Sequence, residues 1–352
     1  MSERAASLLA WYAEHRRDLP WRRTKDPWSV WVSEIMLQQT RVEAVRERFE
    51  SFLAKYRDPR AFAEASDDEV LVAWRGLGYY RRARSLRDAA RVVVTEHDGL
   101  VPRDSAALRS LPGIGEYTQG AIGSIAFDLA LPAIDGNVER VLSRVLWIAC
   151  DSKSREARDR MRDEIRSLHA NAQDSSPGDV NQALMELGAT ICTPRAPKCE
   201  QCPWMLFCDA YERGRAEELP RTSGRSKATA VDTEVLVARR EGAVLMQRVP
   251  AGEINAGQYC LPSLGIPIRR DDDLEQSIRR SMGIRVRIGE RTASFKHAIT
   301  KWRLTVHVRE ALDPPPPDAI AADVDARYAS PRDDDVPTTT IVRKALRALD
   351  RR

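Results

Sequence analysis

The segment Leu111-Pro-Gly-Ile-Gly115 lies between two stretches with helical patterning, 105–110 and 117–127. Glycine adopts positive φ angles without a steric penalty, so Gly113 and Gly115 allow a tight turn that presents backbone N–H groups outward. The helix that follows adds the positive end of its dipole. Together these features predict a site for a phosphate oxygen at the turn. The start of that helix is rich in small residues: Gly120, Ala121, Gly123 and Ser124.

A second informative stretch is the cysteine run C-x6-C-x2-C-x5-C, formed by Cys192, Cys199, Cys202 and Cys208. Four thiolates within 17 residues can hold one metal centre, and both iron–sulfur clusters and structural zinc sites use four cysteines. Zinc sites usually contain two separated C-x2-C pairs, whereas this run contains one. Disulfides fit poorly, because nothing at the N-terminus looks like a secretory signal and cytosolic thiols stay reduced. The run therefore predicts a metal centre, with both metal types still open.

The bulk composition describes a soluble globular protein with room for two domains. The chain has 352 residues, of which 43% are hydrophobic and 31% charged, and its formal net charge is +4. That charge would not by itself reveal a nucleic-acid partner. Six arginines between residues 75 and 91 form either a phosphate-facing stripe or a solvated helix face: Arg75, Arg81, Arg82, Arg84, Arg87 and Arg91.

Patterning along the chain changes near residue 232. Residues 1–211 show helical periodicity, and Thr40-Arg-Val-Glu43 is a capping-box pattern that predicts a helix start at Thr40. Residues 212–231 are small, polar and charged, which is typical of a linker. Residues 232–352 read as a small α+β domain. Its predicted elements are strands at 233–239, 243–248, 286–288 and 304–308 and helices at 274–282 and 339–348, with a hairpin turn at Glu241-Gly242.

The glycine turn and the cysteine run together resemble the endonuclease III superfamily of helix–hairpin–helix DNA glycosylases. Further stretches look like the MutY-type adenine DNA glycosylases: Asp18-Leu-Pro-Trp-Arg22, Trp31-Val-Ser-Glu-Ile-Met-Leu-Gln-Gln-Thr-Arg41, Gly76-Leu-Gly-Tyr-Tyr80, Ala133-Ile-Asp-Gly-Asn137 and Asn181-Gln-Ala183. The match is specific over 1–211 and looser over 232–352.

The resemblance implies a mainly α N-terminal part followed by a smaller α+β domain. The first part, 1–211, would be a glycosylase barrel with its helix–hairpin–helix at about 105–127 and an iron–sulfur loop at 192–208. A linker at 212–231 would lead to a Nudix-like lesion-recognition domain at 232–352. The four cysteines would hold one 4Fe–4S cluster.

The resemblance also implies a substrate and a setting. The family removes adenine misincorporated opposite 8-oxoguanine in base excision repair. We therefore expect double-stranded DNA containing adenine opposite 8-oxoguanine or guanine as the partner, a monomeric protein, no membrane association, and a cytoplasmic location that is nucleoid-associated in a bacterium.

Two acidic residues are the candidate catalytic pair. Breaking the adenine N-glycosidic bond needs a general acid at the base and a negative charge near the sugar. Glu34 has apolar helix neighbours, so partial burial would raise its pKa, although the helix alone also fits an ordinary surface glutamate. Asp135 precedes a helix, where it would act as an N-cap and stay ionised. The resemblance places Glu34 and Asp135 on the family's catalytic glutamate and aspartate.

Tyr117 and Asn137 match family positions that support the aspartate by hydrogen bonding. Glycosylases that also cut the strand commonly carry a lysine after the hairpin, where it forms a Schiff base with the sugar. Tyr117 stands at this place here, and a phenol cannot do that chemistry. We therefore expect a monofunctional glycosylase with little or no lyase activity.

The remaining candidate residues would contact DNA. The resemblance places Trp21, Arg22 and Gln182 around an extruded adenine, puts Gln39 and Tyr79 beside the 8-oxoguanine, and gives Gly113 and Gly115 to the DNA backbone. In the C-terminal domain, His297-Ala-Ile-Thr-Lys301 stands where the family has a Phe-Ser-His loop. Thr300 therefore replaces the lesion-contacting serine, and Lys301 replaces the histidine.

This domain also departs from a Nudix hydrolase. The stretch 274–283 lacks paired glutamates that could hold a magnesium ion, so we expect recognition without pyrophosphatase activity. Two other functions stay open at this point. One is a related glycosylase with another mismatch target, and the other is a non-catalytic iron–sulfur DNA-binding protein.

Overall fold

A computed structural model of the chain describes residues 2–172, 175–222, 228–265, 273–331 and 333–351. The chain divides into two compact units. The helical unit comprises Met1–Ala65 and Gly76–Arg225, and the mixed unit comprises Ser66–Arg75 and Ser226–Arg352. Of the predicted linker at 212–231, residues 223–227 lie outside the described part of the chain. Leu219, inside that predicted linker, is buried in the helical unit, where its carbonyl accepts a hydrogen bond from Arg144 at 3.1 Å.

The α-helices of the first 212 residues are α1 (Glu3–His15), α2 (Pro27–Leu37), α3 (Val42–Lys55), α4 (Pro59–Ala63), α5 (Asp67–Ala73), α6 (Arg81–Glu96), α7 (Ser105–Ser110), α8 (Glu116–Phe127), α9 (Gly136–Val145), α10 (Arg155–Ala170), α11 (Pro177–Thr190) and α12 (Asp209–Glu212). All except α5 belong to the helical unit. The predicted mainly α character of this part is confirmed. No helix in the described residues is long and apolar enough to cross a lipid bilayer.

Local side-chain chemistry explains where the helices start. Asp26 caps α2 by accepting a hydrogen bond from the Ser29 N–H at 2.8 Å, and proline occupies the first helical position. The capping box predicted at Thr40 is wrong, because α3 begins two residues later and its N-cap makes no side-chain hydrogen bond. The Thr40 hydroxyl donates instead to the Leu77 carbonyl at 3.0 Å. The Thr40 side chain therefore makes a tertiary hydrogen bond, although the local pattern predicted that it would cap a helix.

The helices that carry the candidate site pack closely on one another. Helix α8 lies against α2 and α11, and α11 lies against α9. Gly188 permits the close packing of α11 on α9, since a Cβ at this position would lie 2.6 Å from the Asn137 Cβ. Larger side chains at Gly188 would therefore push α11 away from the start of α9, where Asp135 is the N-cap.

The arginines between residues 75 and 91 do not act as one uniform face, because several of them donate to carbonyls within the protein while Arg81 is exposed. Arg87 is buried and donates to the Ala65 carbonyl at 3.1 Å. Arg91 donates to the Ala63 carbonyl at 3.0 Å. Arg82 is bonded to several backbone carbonyls. Helix α6 therefore uses these guanidinium groups chiefly as internal donors.

The mixed unit is an α+β structure, as predicted. Its strands are β1 (Thr229–Val237), β2 (Arg239–Arg240), β3 (Ala243–Arg248), β4 (Tyr259–Cys260), β5 (Ile288–Ile299), β6 (Trp302–Ala311) and β7 (Ala326–Ala329), and its later helices are α13 (Leu274–Met282) and α14 (Thr340–Leu349). In one sheet β6 pairs with β1 in parallel and with β5 antiparallel. The other sheet contains β2, β3, β4 and β7, with β3 antiparallel to the other three.

The predicted hairpin at Glu241-Gly242 is confirmed, because β2 and β3 pair antiparallel across it. The strand predicted at 286–288 was placed too early, since β5 starts at Ile288 and runs to Ile299. Its side chains alternate between exposed and half-buried positions over its second half, the period of a half-buried strand, but none of them is fully buried. The Thr300–Lys301 turn joins β5 to β6 at the tip of a long hairpin.

Candidate active site

One cavity of the helical unit, of about 720 Å³, gathers most of the predicted site residues. We call it the Glu34 cavity. The predicted residues that line it are Trp21, Arg22, Glu34, Gln39, Gly113, Gly115, Tyr117, Asp135, Asn137 and Gln182. They come from five separate stretches of sequence, so only the tertiary fold brings them together. The two carboxyl groups predicted to act as a pair therefore face the same space.

Glu34 lies in the third turn of α2 and is only 5% exposed. One oxygen of its carboxyl group accepts a hydrogen bond from the Tyr117 hydroxyl. Burial, reinforced by the charge of Asp135, raises its pKa from 4.5 to about 7, although the Tyr117 hydrogen bond and the charge of Arg22 act in the opposite direction. Glu34 can therefore hold a proton at neutral pH and give it up to a substrate.

Tyr117, which was predicted to support Asp135, instead donates its hydroxyl hydrogen to Glu34 from the first turn of α8. Its pKa lies well above the ordinary value of 10.0, because the ring is buried and because Glu34 and Asp135 place negative charge nearby. The phenol therefore stays neutral and acts as a hydrogen-bond donor. Its oxygen also lies 3.8 Å from the Met185 sulfur, on the α11 side of the cavity.

Asp135 is the N-cap of α9, as the sequence predicts. Its carboxylate accepts hydrogen bonds from the backbone N–H groups of Asn137 at 3.0 Å and Val138 at 2.8 Å, and from the Asn137 side-chain amide at 2.9 Å. Burial raises the pKa of Asp135 above its ordinary value, while these hydrogen bonds favour the charged form. The cap thus fixes a carboxylate at the helix N-terminus with its orientation set by three donors.

Sequence reasoning missed an ion triad in the wall of the cavity. Glu186 of α11 is fully buried and pairs with Arg17 at 2.7 Å and with Arg22 at 2.8 Å. Burial would raise the pKa of Glu186, but the hydrogen bonds from Arg17 and Arg22 outweigh it and lower the pKa to about 2. The available signal was a glutamate between apolar residues of α11, Leu184-Met-Glu-Leu187. This triad holds Arg22 beside Glu34.

Two predicted residues are absent from the lining of the Glu34 cavity. Tyr79 is 45% exposed, and its ring lies 5.5 Å from the Arg82 guanidinium. Thr300 belongs to the mixed unit, in the turn between β5 and β6, where its φ angle is 51°. Gln39 does line the cavity, and it lies at the junction between α2 and α3.

Of the two glycines in the turn, Gly113 has the positive φ angle that the sequence predicts, whereas Gly115 is extended with a φ angle of −88°. Gly113 has a φ angle of 78°, and a Cβ there would lie 2.9 Å from the Ser85 Cβ. Gly115 is the N-cap of α8 and provides no side chain to the first N–H groups of that helix. Both glycines line the Glu34 cavity, so the turn and the carboxyl pair share one surface.

The four predicted metal ligands, Cys192, Cys199, Cys202 and Cys208, line a second cavity of the helical unit. Arg144 is 1% exposed and donates to the Cys192 sulfur at 3.3 Å, to the Thr193 carbonyl at 2.8 Å and to the Pro194 carbonyl at 3.1 Å. Within the described residues, no group of three ligating side chains could hold a single metal ion. Four thiols around one cavity fit the four-cysteine ligation of an iron–sulfur cluster.

Comparison with known proteins defines the class to which this site belongs. Residues 32–167 match the family described as HhH-GPD superfamily base excision DNA repair protein, and residues 192–208 match the iron–sulfur binding domain of endonuclease III. The solved structure of a thermostable thymine-DNA glycosylase is similar, with a TM-score of 0.54 at 30% identity, over 59% of this chain and 95% of that chain. The helical unit is a base-excision repair fold with an iron–sulfur domain, which confirms the predicted 4Fe–4S cofactor.

Curated relatives give the particular family. The adenine DNA glycosylase of Rattus norvegicus is 46% identical over 226 residues, which cover 61% of this chain and 43% of the relative. That of Mycolicibacterium smegmatis is 43% identical over 204 residues, which cover 58% of this chain and 68% of the relative. The chain belongs to the adenine DNA glycosylase family. It spans less than half the length of the rat, mouse and human relatives that it matches.

Proposed function

We propose that this chain is a DNA glycosylase that hydrolyses the N-glycosidic bond of adenine mispaired with 8-oxoguanine, and also with guanine. One observation carries the proposal. A buried, hydrogen-bonded Glu34 with a pKa of about 7 shares a cavity with the capped carboxylate of Asp135. The names of the relatives support adenine as the base.

Glu34 supplies the proton in this proposal. Adenine is a poor leaving group until a ring nitrogen is protonated. The protonated Glu34 carboxyl donates to that nitrogen while the electrons of the C1′–N9 bond move to the departing base. A general acid works best when its pKa lies near the working pH, which the burial of Glu34 provides.

Asp135 stabilises the sugar as positive charge develops on it. Its carboxylate is held by three donors and does not need to reorganise when that charge appears. A water molecule then adds to C1′ and loses its proton to the Glu34 carboxylate, which restores the acid. The products are free adenine and an abasic sugar, whether the sugar passes through a cation or through a transient ester with Asp135.

The lack of a lysine at position 117 implies hydrolysis without strand cleavage. The Tyr117 hydroxyl is already committed to Glu34, and it offers no amine that could form a Schiff base. Borohydride treatment during turnover should therefore trap little covalent protein–DNA adduct. An adduct as abundant as that of a bifunctional glycosylase would contradict this part of the proposal.

DNA binding in the proposal uses the rest of the same surface. Adenine must leave the duplex to reach Glu34, at an unstacking cost of a few kcal/mol. Side chains that fill the gap, such as Gln39 and Tyr79, would offset part of that cost. The turn at Gly113 and Gly115 would hold a backbone phosphate of double-stranded DNA, bound by a protein monomer. Thr300 in the β5–β6 turn would contact the 8-oxoguanine through its hydroxyl group.

Release of labelled bases from defined duplexes tests the proposal. Wild-type protein should release adenine opposite 8-oxoguanine and, more slowly, opposite guanine. The variant Glu34→Gln should lose release while it still binds the duplex, and the exposed Glu47→Gln should behave as wild type. Release of thymine or uracil alone would indicate a related glycosylase, and binding without release of any base would indicate a non-catalytic protein. Unchanged turnover of Glu34→Gln would remove Glu34 from its role.

A further inference from the structure

Arg82, the second residue of α6, donates to two separate stretches of the helical unit. On one side it bonds the carbonyls of Ile35 and Met36, the latter at 3.1 Å, and the Thr40 hydroxyl at 2.9 Å. On the other side it bonds the carbonyls of Leu77 and Gly78, both at 3.1 Å. We call Arg82 with these five acceptors the Arg82 clamp.

The first side of the clamp closes the end of the helix that carries Glu34. The last carbonyls of a helix have no partner within the helix, and a cation there also interacts favourably with the helix dipole. Ile35 and Met36 belong to the last turn of α2, directly after Glu34. The position of Glu34 along α2 is therefore tied to Arg82 through the next two residues.

The second side of the clamp fixes the loop before α6. Leu77 and Gly78 precede Tyr79, and the Tyr79 ring lies 5.5 Å from the Arg82 guanidinium, in a cation–π contact. The Thr40 hydroxyl crosses between the two stretches, because it donates to the Leu77 carbonyl at 3.0 Å while it accepts from Arg82. The two stretches are thus joined by direct bonds as well as through the guanidinium.

The residues between the clamped positions have an unusual backbone. Gln39 has a φ angle of 56° and Tyr79 a φ angle of 48°. A side chain with a Cβ is strained in this region, and such residues persist where their surroundings hold them. The acceptors of Arg82 flank both positions in the sequence, at Thr40 after Gln39 and at Gly78 before Tyr79. The clamp therefore holds two strained residues from two different stretches with one side chain.

We propose that Arg82 is the positioning residue for lesion recognition, holding Gln39 and Tyr79 at a fixed spacing from each other and from Glu34. This inference rests on the proposed function, in which Gln39 and Tyr79 lie beside the 8-oxoguanine. It adds that the two lesion-facing residues and the end of the helix that carries Glu34 share one anchor. Loss of the Arg82 contacts should lower the preference for 8-oxoguanine over guanine more than it lowers the rate of bond cleavage, because Glu34 keeps its own hydrogen bond to Tyr117.

Arg82→Lys is the most informative substitution. Lysine keeps the positive charge and most of the aliphatic side chain but lacks the planar guanidinium with its five N–H donors. A matched control is Arg87→Lys on the same helix. Arg87 is also buried and also donates to a carbonyl, that of Ala65 at 3.1 Å, which lies outside the stretches around Gln39 and Tyr79 in the sequence. A general loss of packing in α6 should affect both variants alike.

Two readouts on the whole 352-residue chain test the proposal. In single-turnover assays, Arg82→Lys should lower the preference for adenine opposite 8-oxoguanine over adenine opposite guanine by about tenfold, the size of one lost base-stacking contact. Its limiting rate on adenine opposite guanine should stay within about threefold of wild type, and Arg87→Lys should keep the wild-type preference. In hydrogen exchange without DNA, Arg82→Lys should raise amide exchange at 37–41 and 76–80 together.

The outcomes separate the two levels of the account. Exchange that rises in only one segment, or equally in Arg87→Lys, overturns the clamp. An unchanged preference for 8-oxoguanine, or equal losses on both duplexes, overturns its role in recognition. A third outcome is that wild-type protein releases no adenine, while hydrogen exchange rises in both segments and only in Arg82→Lys. The proposed function would then have failed, and the role of Arg82 in lesion recognition would be rejected with it. The contacts of the Arg82 clamp would still be supported.

Discussion

Above neutral pH, the Glu34→Gln variant should be more stable to unfolding than the wild-type protein, and the size of the difference should depend on pH. Folding raises the pKa of Glu34 from 4.5 to about 7, so the folded state keeps a proton that the unfolded chain releases. Stability therefore falls as pH rises from 4.5 to about 7, because the native state binds more protons than the unfolded state over that range. One pKa unit corresponds to about 1.4 kcal/mol, which makes the full loss about 3 kcal/mol.

Glutamine cannot titrate, so the variant should escape this loss. Between about pH 5.5 and about pH 8, the stability of wild type should drop by about 2 kcal/mol relative to Glu34→Gln. Urea unfolding followed by tryptophan fluorescence measures the difference, since six of the eight tryptophans belong to the helical unit. The exposed Glu47→Gln serves as the control and should follow wild type. If the free energy of unfolding had the same pH dependence in wild type and Glu34→Gln, the claim that Glu34 holds a proton in the folded state would be refuted.

Three further predictions follow from the same contacts. Tyr117→Phe removes a hydrogen bond that favours the Glu34 carboxylate, so the alkaline limb of the single-turnover rate should move up by about one pH unit; movement to lower pH would contradict this. Glu186→Gln should destabilise the protein by about 3 kcal/mol at neutral pH in urea unfolding. Folding lowers the pKa of Glu186 from 4.5 to about 2, so the ionised carboxylate stabilises the folded state above pH 4.5. That stabilisation is lost as the pH falls toward 2. An unchanged unfolding midpoint would show that the triad contributes nothing. Cys202→Ala should lower the iron content from about four atoms per chain and remove the visible absorbance, whereas full iron retention would exclude it as a ligand.

Much of the fold could be predicted from the sequence, since its signals are local. Helix α13 has the predicted bounds, and the turn at Gly113 needs a conformation that only its glycine adopts easily. The run from Cys192 to Cys208 is equally local, and its four thiols do line one cavity. Local chemistry failed at Thr40, where a capping pattern was present but a distant carbonyl, that of Leu77, took the hydroxyl group.

The parts of the site that the sequence did not reveal depend on contacts between distant segments. Glu186 and Arg17 are far apart in the chain, and although the apolar neighbours of Glu186 indicate burial, no local pattern identifies Arg17 as its partner. Arg82 looked like one member of a basic stripe, because the sequence cannot tell a guanidinium that faces solvent from one that binds carbonyls. The helix pattern around Glu34 allowed either a buried or a surface glutamate, and the structure shows that Glu34 is buried.

The pH dependence of adenine release tests the central claim most directly. That claim is that a protonated Glu34 delivers a proton to an adenine whose sugar is stabilised by Asp135. In single-turnover release of adenine opposite 8-oxoguanine with excess protein, the rate should fall about tenfold per pH unit above about pH 7, as the Glu34 carboxyl ionises. A rate that rises through neutral pH, or stays level up to about pH 9, would contradict the account.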